Sequence, residues 1–268
     1  MKNIYKSLAF LMMVLSFSVF VETSHHKDPL LDAINNPNRN IAYSARDEFR
    51  NPYETLSFFQ IKPTMQVLEL AAGGGWYTEI LAPYLIEAGN LSVTHYNPEA
   101  GKYYKRSRDS YDNKVASNPL FKGVDVVTVD TPPTKSFTKP ETQDLVVTFR
   151  NLHNWLARDA MKAVIQEAYN SLKKGGYFGV VEHRAPEGSS LEFMKKSGYV
   201  TQSLAIETAQ SVGFKLVATS EINANPKDTA DHPRGVWTLP PSYRLKDKDR
   251  LKYEAIGESD RMTLLFKK

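Results

Sequence analysis

The segment Val67-Leu68-Glu69-Leu70-Ala71-Ala72-Gly73-Gly74-Gly75-Trp76-Tyr77-Thr78 constrains this chain more than any other. An apolar run ends, a turn of small residues follows, and a helical pattern begins at once. Small residues let the backbone approach a ligand closely, and a helix N-terminus offers it free N–H groups. The spacing narrows the choice of ligand. A dinucleotide site needs G-x-G-x-x-G, with the third glycine packing helix on strand. Here Ala71, Gly73 and Gly75 give small-x-small-x-small, and Trp76 stands where the third glycine is required, which disfavours pyrophosphate. A tight structural turn with no ligand is the plainer alternative.

Around this segment the pattern alternates between strand and helix, as in an α/β domain. Strands are expected at Gln66–Leu70, Leu91–His95, Val124–Val129, Leu145–Phe149, Tyr177–Glu182, Phe214–Thr219 and Met262–Phe266. Helices are expected at Trp76–Leu85, at Ala160–Leu172 (closed by Lys173-Lys174-Gly175-Gly176) and at Val200–Val212. The expected fold is therefore a doubly wound, mostly parallel seven-stranded sheet over residues 61–268, with its ligand beyond the strand C-termini. Residues 25–60 read as a helical preamble, in which Pro52 starts a short helix with an aromatic face (Tyr53, Leu56, Phe58, Phe59). Residues 221–260 are too long for a plain turn, and Trp237, Tyr243 and Tyr253 mark them as a packed flap.

The N-terminus has targeting character. Lys2 and Lys6 precede an apolar run from Leu8 to Val21, 14 residues long against the roughly 20 a bilayer span needs. Residues 1–24 are expected to be a signal peptide and the mature protein to be periplasmic; an N-terminal membrane anchor is the alternative. The chain has no cysteine, which removes disulfides, thiolate metal sites and cysteine nucleophiles. Its formal charge of +4 contains no long basic run, so nucleic acid is not an expected partner. Nothing in the sequence sets the oligomeric state.

Glu69-x-Ala71-x-Gly73-x-Gly75 resembles the first motif of class I S-adenosylmethionine-dependent methyltransferases, acidic-x-G-x-G-x-G. The likeness covers about residues 60–220 and the last strand. More narrowly, Gly73 to Thr78, Arg150-Asn151-x-His153 and Gly257-Glu258-Ser259-Asp260-Arg261 resemble a group of exported proteins described as predicted methyltransferases. The resemblance implies S-adenosylmethionine as cofactor, with Glu69, Ala71, Gly73, Gly75, His95 and Asp130 at cofactor-binding positions. Two of these depart from the pattern. Ala71 replaces a glycine, which is tolerable if its φ is negative. His95 stands where an acidic residue usually takes both ribose hydroxyls, and a neutral imidazole accepts only one such bond.

Four histidines, His95, His153, His183 and His232, are expected near the strand C-terminal edge. His153 is the candidate general base, because its unperturbed pKa suits proton removal near neutrality. Arg150 is the candidate for orienting an anionic substrate or holding a protein carboxylate. His183, with Glu182 fixing its imidazole, is the second candidate base. His153, His183, His232 and Asp231 could together ligate zinc, but they lack helical metal-ligand spacing, and no metal site is assigned. The leading function is methyl transfer to a small molecule. The alternatives are a non-catalytic small-molecule-binding protein on the same fold and, behind it, a metal-dependent hydrolase.

Overall fold

The computed structural model describes residues 28–268; the expected signal peptide, 1–24, lies outside them. The preamble forms four short helices, α1 (Pro29–Ile34), α2 (Ile41–Ser44), α3 (Asp47–Arg50) and α4 (Pro52–Phe58). Each of the first two is capped by the residue before it, with Asp28 accepting from Leu30 N–H and Asn40 from Ala42 N–H. The α/β unit follows as β1 (Gln66–Leu70), α5 (Thr78–Leu85), β2 (Asn90–Tyr96), α6 (Lys102–Ser117), β3 (Asp125–Val129), β4 (Gln143–Phe149), α7 (Leu152–Leu156), α8 (Met161–Ser171) and β5 (Leu172–Ala185). Then come α9 (Leu191–Ser197), β6 (Val200–Thr201), α10 (Gln202–Ser211), β7 (Lys215–Ser220), β8 (Pro233–Val236), α11 (Arg250–Ile256) and β9 (Arg261–Lys267).

The sheet runs β3-β2-β1-β4-β5-β9-β7, and the two-residue β6 adds an eighth strand beside the end of β5. The first five strands pair in parallel, and β9 lies antiparallel between β5 and β7. The seven expected strands are all present. Strand side chains alternate between two cores: Leu68, Val146, Phe178 and Leu264 pack on one face, Val67, Leu145, Val181 and Leu265 on the other. Strand order reverses between β1 and β4, so the loops after these two strands open into one crevice.

Three differences from the sequence reading have local causes. Helix α6 was not expected, because its single buried residue is Tyr111 and it shows no apolar stripe; surface pairs Lys105–Asp109 at 2.9 Å and Arg108–Asp112 at 2.7 Å lie along it instead. Helix α8 ends at Ser171, before the Lys-Lys-Gly-Gly run. Leu172 is already extended and paired with Gln143, while Lys173 binds Asp144 at 2.7 Å, so this run begins β5 rather than capping the helix. Trp76 and Tyr77 precede α5 as a turn.

The preamble docks on the sheet through Phe59, which is fully buried. Its ring lies over Gly179 of β5, where a Cβ would come within 2.6 Å of the ring carbons. Only the missing side chain permits that approach. Among the described residues, no helix is long and apolar enough to cross a membrane. Gly179→Ala is expected to lower unfolding free energy by about 1–3 kcal/mol through overpacking, measured by urea denaturation.

Candidate active site

Two adjoining cavities open at the reversal of strand order, and both are lined by Ala71 and Gly73. The narrower one lies between the ends of β1, β2 and β3, among Thr94, His95, Tyr96, Val129, Asp130, Phe137 and Trp155. The wider one, about 290 Å³, lies over the ends of β1, β4 and β5. Its wall includes Tyr43, Arg46 and Arg50 from the preamble and Arg150, Asn151 and His153 after β4. His183 of β5, Val236, Trp237 and Pro240 to Ser242 of the flap, and Glu258 and Ser259 before β9 complete it.

The glycine loop is held from several sides. Ala71 has φ +51, a left-handed conformation that costs an alanine about 1–2 kcal/mol, so the condition of negative φ is not met. Its N–H donates to Thr94 Oγ1 at 2.8 Å, and its carbonyl accepts from Asn151 Nδ2 at 3.2 Å. The Gly74 carbonyl accepts from Tyr43 Oη at 2.9 Å and from Lys114 Nζ at 2.6 Å. Glu69 and Gly75 line neither cavity. Glu69 is buried and accepts from Thr78 Oγ1 at 2.7 Å, tying β1 to the start of α5; burial pushes its carboxyl up to about 8, against the smaller opposing effect of the Thr78 bond. Gly75 has φ +83 and sits under Phe121 and Tyr111, with no space for a Cβ.

In the narrower cavity, His95 is buried and its Nε2 lies 3.1 Å from the Gly73 carbonyl. That contact makes Nε2 the donor and leaves Nδ1 as an acceptor, and Nδ1 is buried with no partner. Burial, more than anything else, holds the His95 pKa below its ordinary value, which favours this neutral form. Asp130 is engaged on both oxygens, by Asn97 Nδ2 at 2.8 Å and by Thr134, and these bonds lower its pKa, Thr134 the more.

In the wider cavity, Glu182 organises the base candidates. Its carboxylate accepts from His153 Nδ1 at 3.0 Å, from His153 N–H at 3.3 Å and from His183 N–H at 2.7 Å. It therefore orients the imidazole of His153 rather than that of His183. His183 Nδ1 lies 2.5 Å from Ser259 Oγ, and burial, followed by the neighbouring His153, holds its pKa well below normal. The two rings are 5.2 Å apart. Ligand atoms of His153, Glu182 and His183 all fall within 4.8 Å of one another, but the carboxylate already serves three N–H donors. His232 and Asp231 lie elsewhere: His232 bonds Asp228 at 2.8 Å within the flap.

Beside these groups is a buried charge cluster. Glu258 takes Arg46 Nε at 2.6 Å, Arg50 Nε at 3.2 Å and Arg261 Nη1 at 3.2 Å. Burial opposes its ionisation, yet the guanidiniums of Arg50, Arg261, Arg150 and Arg46 overcome that and hold its pKa at about 2. Arg150 has φ +63, its N–H donates to Val181 O at 2.7 Å, and it lines the cavity without a bond to Glu258.

Residues 68–180 match the family model described as "Methyltransferase domain". This part of the chain is similar to a methyltransferase domain, and the fold is one that SAM-dependent methyltransferases have. Among solved structures, the fold is similar to that of a SAM-dependent methyltransferase from Aquifex aeolicus, at 17% identity over 73% of this chain and 93% of that one, with a TM-score of 0.53. It is also similar to a SAM-dependent methyltransferase from Methanosarcina mazei (11% identity, 80% and 96% covered, TM-score 0.53) and to the [4+2]-cyclase SpnF (14%, 90% and 91%, TM-score 0.56). No curated protein matches the sequence significantly.

The structure brings Ala71, Gly73, His95, Asp130, Arg150, His153 and His183 to the cavities. The sequence reading missed Tyr43, Arg46 and Arg50, and it gave Asn151 no role. The Arg46–Arg50 spacing of four, one helical turn, was the available signal. Glu258→Gln is expected to destabilise by about 3–5 kcal/mol, because it leaves buried guanidiniums without their counter-charge. The depressed Glu258 pKa contributes stability above its ordinary value of 4.5, lost as pH falls from about 4.5 towards 2. Thermal melts from pH 7 to pH 2 should show that acid slope in the wild type and a smaller one in the variant.

Proposed function

We propose that this chain transfers the methyl group of S-adenosylmethionine to a small-molecule acceptor held in the wider cavity, with His153 as general base. The observation that carries the reading is the Glu182–His153 contact. A carboxylate on Nδ1 fixes the tautomer and leaves Nε2 as the basic nitrogen of a residue on the cavity wall. The non-catalytic binding alternative gives no reason for a buried carboxylate to set the tautomer of that histidine.

The residues present suit the cofactor. The orphaned Nδ1 of His95 can take one ribose hydroxyl, and Tyr96, Val129, Phe137 and Trp155 supply apolar surface for a purine. Ala71, Gly73 and Gly74 form the border that leads into the wider cavity. When bound, the sulfonium supplies an activated methyl carbon. His153 Nε2 would take the proton that the methylated acceptor gives up. Asn151 and Tyr43 fix the loop that aligns the two reactants, which is the larger part of what such an enzyme supplies. We extend the proposal to an exported location, supported by Lys2, Lys6 and the apolar run Leu8–Val21.

Calorimetric titration with S-adenosylmethionine and S-adenosylhomocysteine tests the cofactor reading; micromolar binding is expected, and no binding at millimolar concentration would remove it. His153→Ala should reduce S-adenosylhomocysteine release by about 10²–10⁴-fold while leaving cofactor affinity intact. Unchanged turnover would transfer the role of base to His183.

A further inference from the structure

Resting on the methyltransferase reading, we infer that the methyl acceptor carries an oxyanion, a carboxylate or phosphate, which Arg50 and Arg150 bind in the wider cavity. Arg50 is 1% exposed and lines that cavity. Its Nε is spent on Glu258, but Nη1 and Nη2 are both buried with no hydrogen-bond partner. The Trp76 ring, 4.6 Å away, fixes the plane of the guanidinium without offering it an oxygen. A buried guanidinium with two free donors is costly unless an acceptor completes it, and the planar fork matches a group with two oxygens.

Charge identifies the source of that oxyanion. Arg46, Arg50 and Arg150 line the cavity against the single carboxylate of Glu258, an excess of two positive charges. Among the described residues, the Arg150 guanidinium has no ion-pair partner; burial lowers its pKa, and the charge of Glu258 is the largest influence that opposes it. The cofactor does not correct this imbalance. Its amino-acid end brings an ammonium with its carboxylate, and its sulfonium adds a further positive charge. Neutrality has to come from the other reactant. His153, on the same wall, then lies beside the acceptor and not beside the cofactor's adenosine.

The test is calorimetric titration of wild-type protein saturated with S-adenosylhomocysteine, using malonate and inorganic phosphate as probes. At least one probe is expected to bind the loaded protein. Arg150→Met should weaken that probe by about tenfold or more while S-adenosylhomocysteine affinity stays within about threefold. Loss of probe binding once S-adenosylhomocysteine is present would overturn the inference, by showing that the arginines serve the cofactor's own carboxylate. Equal probe affinity in wild type and variant would overturn it too. The wild-type competition needs no variant to fold. Failure of S-adenosylhomocysteine to bind would instead sink the cofactor reading on which the inference stands, whereas cofactor binding with no probe binding sinks the inference alone.

Discussion

Glu258 is the fixed point of this molecule. One buried carboxylate holds Arg46 and Arg50 from the preamble and Arg261 from the last strand, residues more than two hundred positions apart in sequence. Ion pairs taken out of water are seldom a net source of stability, because desolvation offsets most of the attraction. Their value here is positional. Arg261 also donates to the Phe49 carbonyl, so the preamble is tied to β9 by its backbone as well as by its charges. Arg50 is thereby delivered to a cavity whose other walls come from the strand ends and the flap.

The same short segment, Gly257 to Arg261, reaches His153 through a second chain of contacts. Ser259 bonds His183, and Glu182 joins the His183 backbone to the His153 imidazole. Asp260 binds Arg184, which also pairs with Glu221 at the root of the flap. Asp228, whose side chain is fully buried, links His232 to the Asp260 N–H. The flap, His153 and the arginine cluster are therefore set by three successive residues before β9, Glu258, Ser259 and Asp260. That dependence accounts for the length of the chain between β7 and β9: it builds one wall of the cavity and returns to hold the opposite one.

Much of this was legible in the sequence because apolar alternation is a local signal. The seven strands, the proline-started helix α4 and the glycine loop all declare themselves within a dozen residues. Helix α6 was hidden because a helix with one buried side chain leaves no periodic trace. Lys173 to Gly176 misled because a cap and a strand start use the same residues, and only the pairing of Leu172 with Gln143 separates them. The pairing of Glu182 with His153 was also out of reach, since adjacency in sequence favoured His183. In a strand, consecutive side chains point to opposite faces, so the nearest histidine in sequence is not the one a carboxylate meets. Arg46 and Arg50 were read only as part of a helical preamble, because their partner lies beyond the far end of the sheet.

Two cavity residues, Ala71 and Arg150, hold left-handed backbone that a glycine would adopt without penalty. Both are overdetermined by their neighbours. Asn151 Nδ2 lies within 3.3 Å of the Leu70, Ala71 and Phe149 carbonyls, bridging the ends of β1 and β4, and the Arg150 N–H is anchored on β5. Strain that survives beside a ligand cavity requires such support. In return it fixes direction. At Arg150, the left-handed turn lets the chain leave β4 and still carry a guanidinium to the cavity, one residue before the asparagine that holds the loop. A glycine there would relieve the backbone and remove the charge, so the conformation and the side chain have to be kept together.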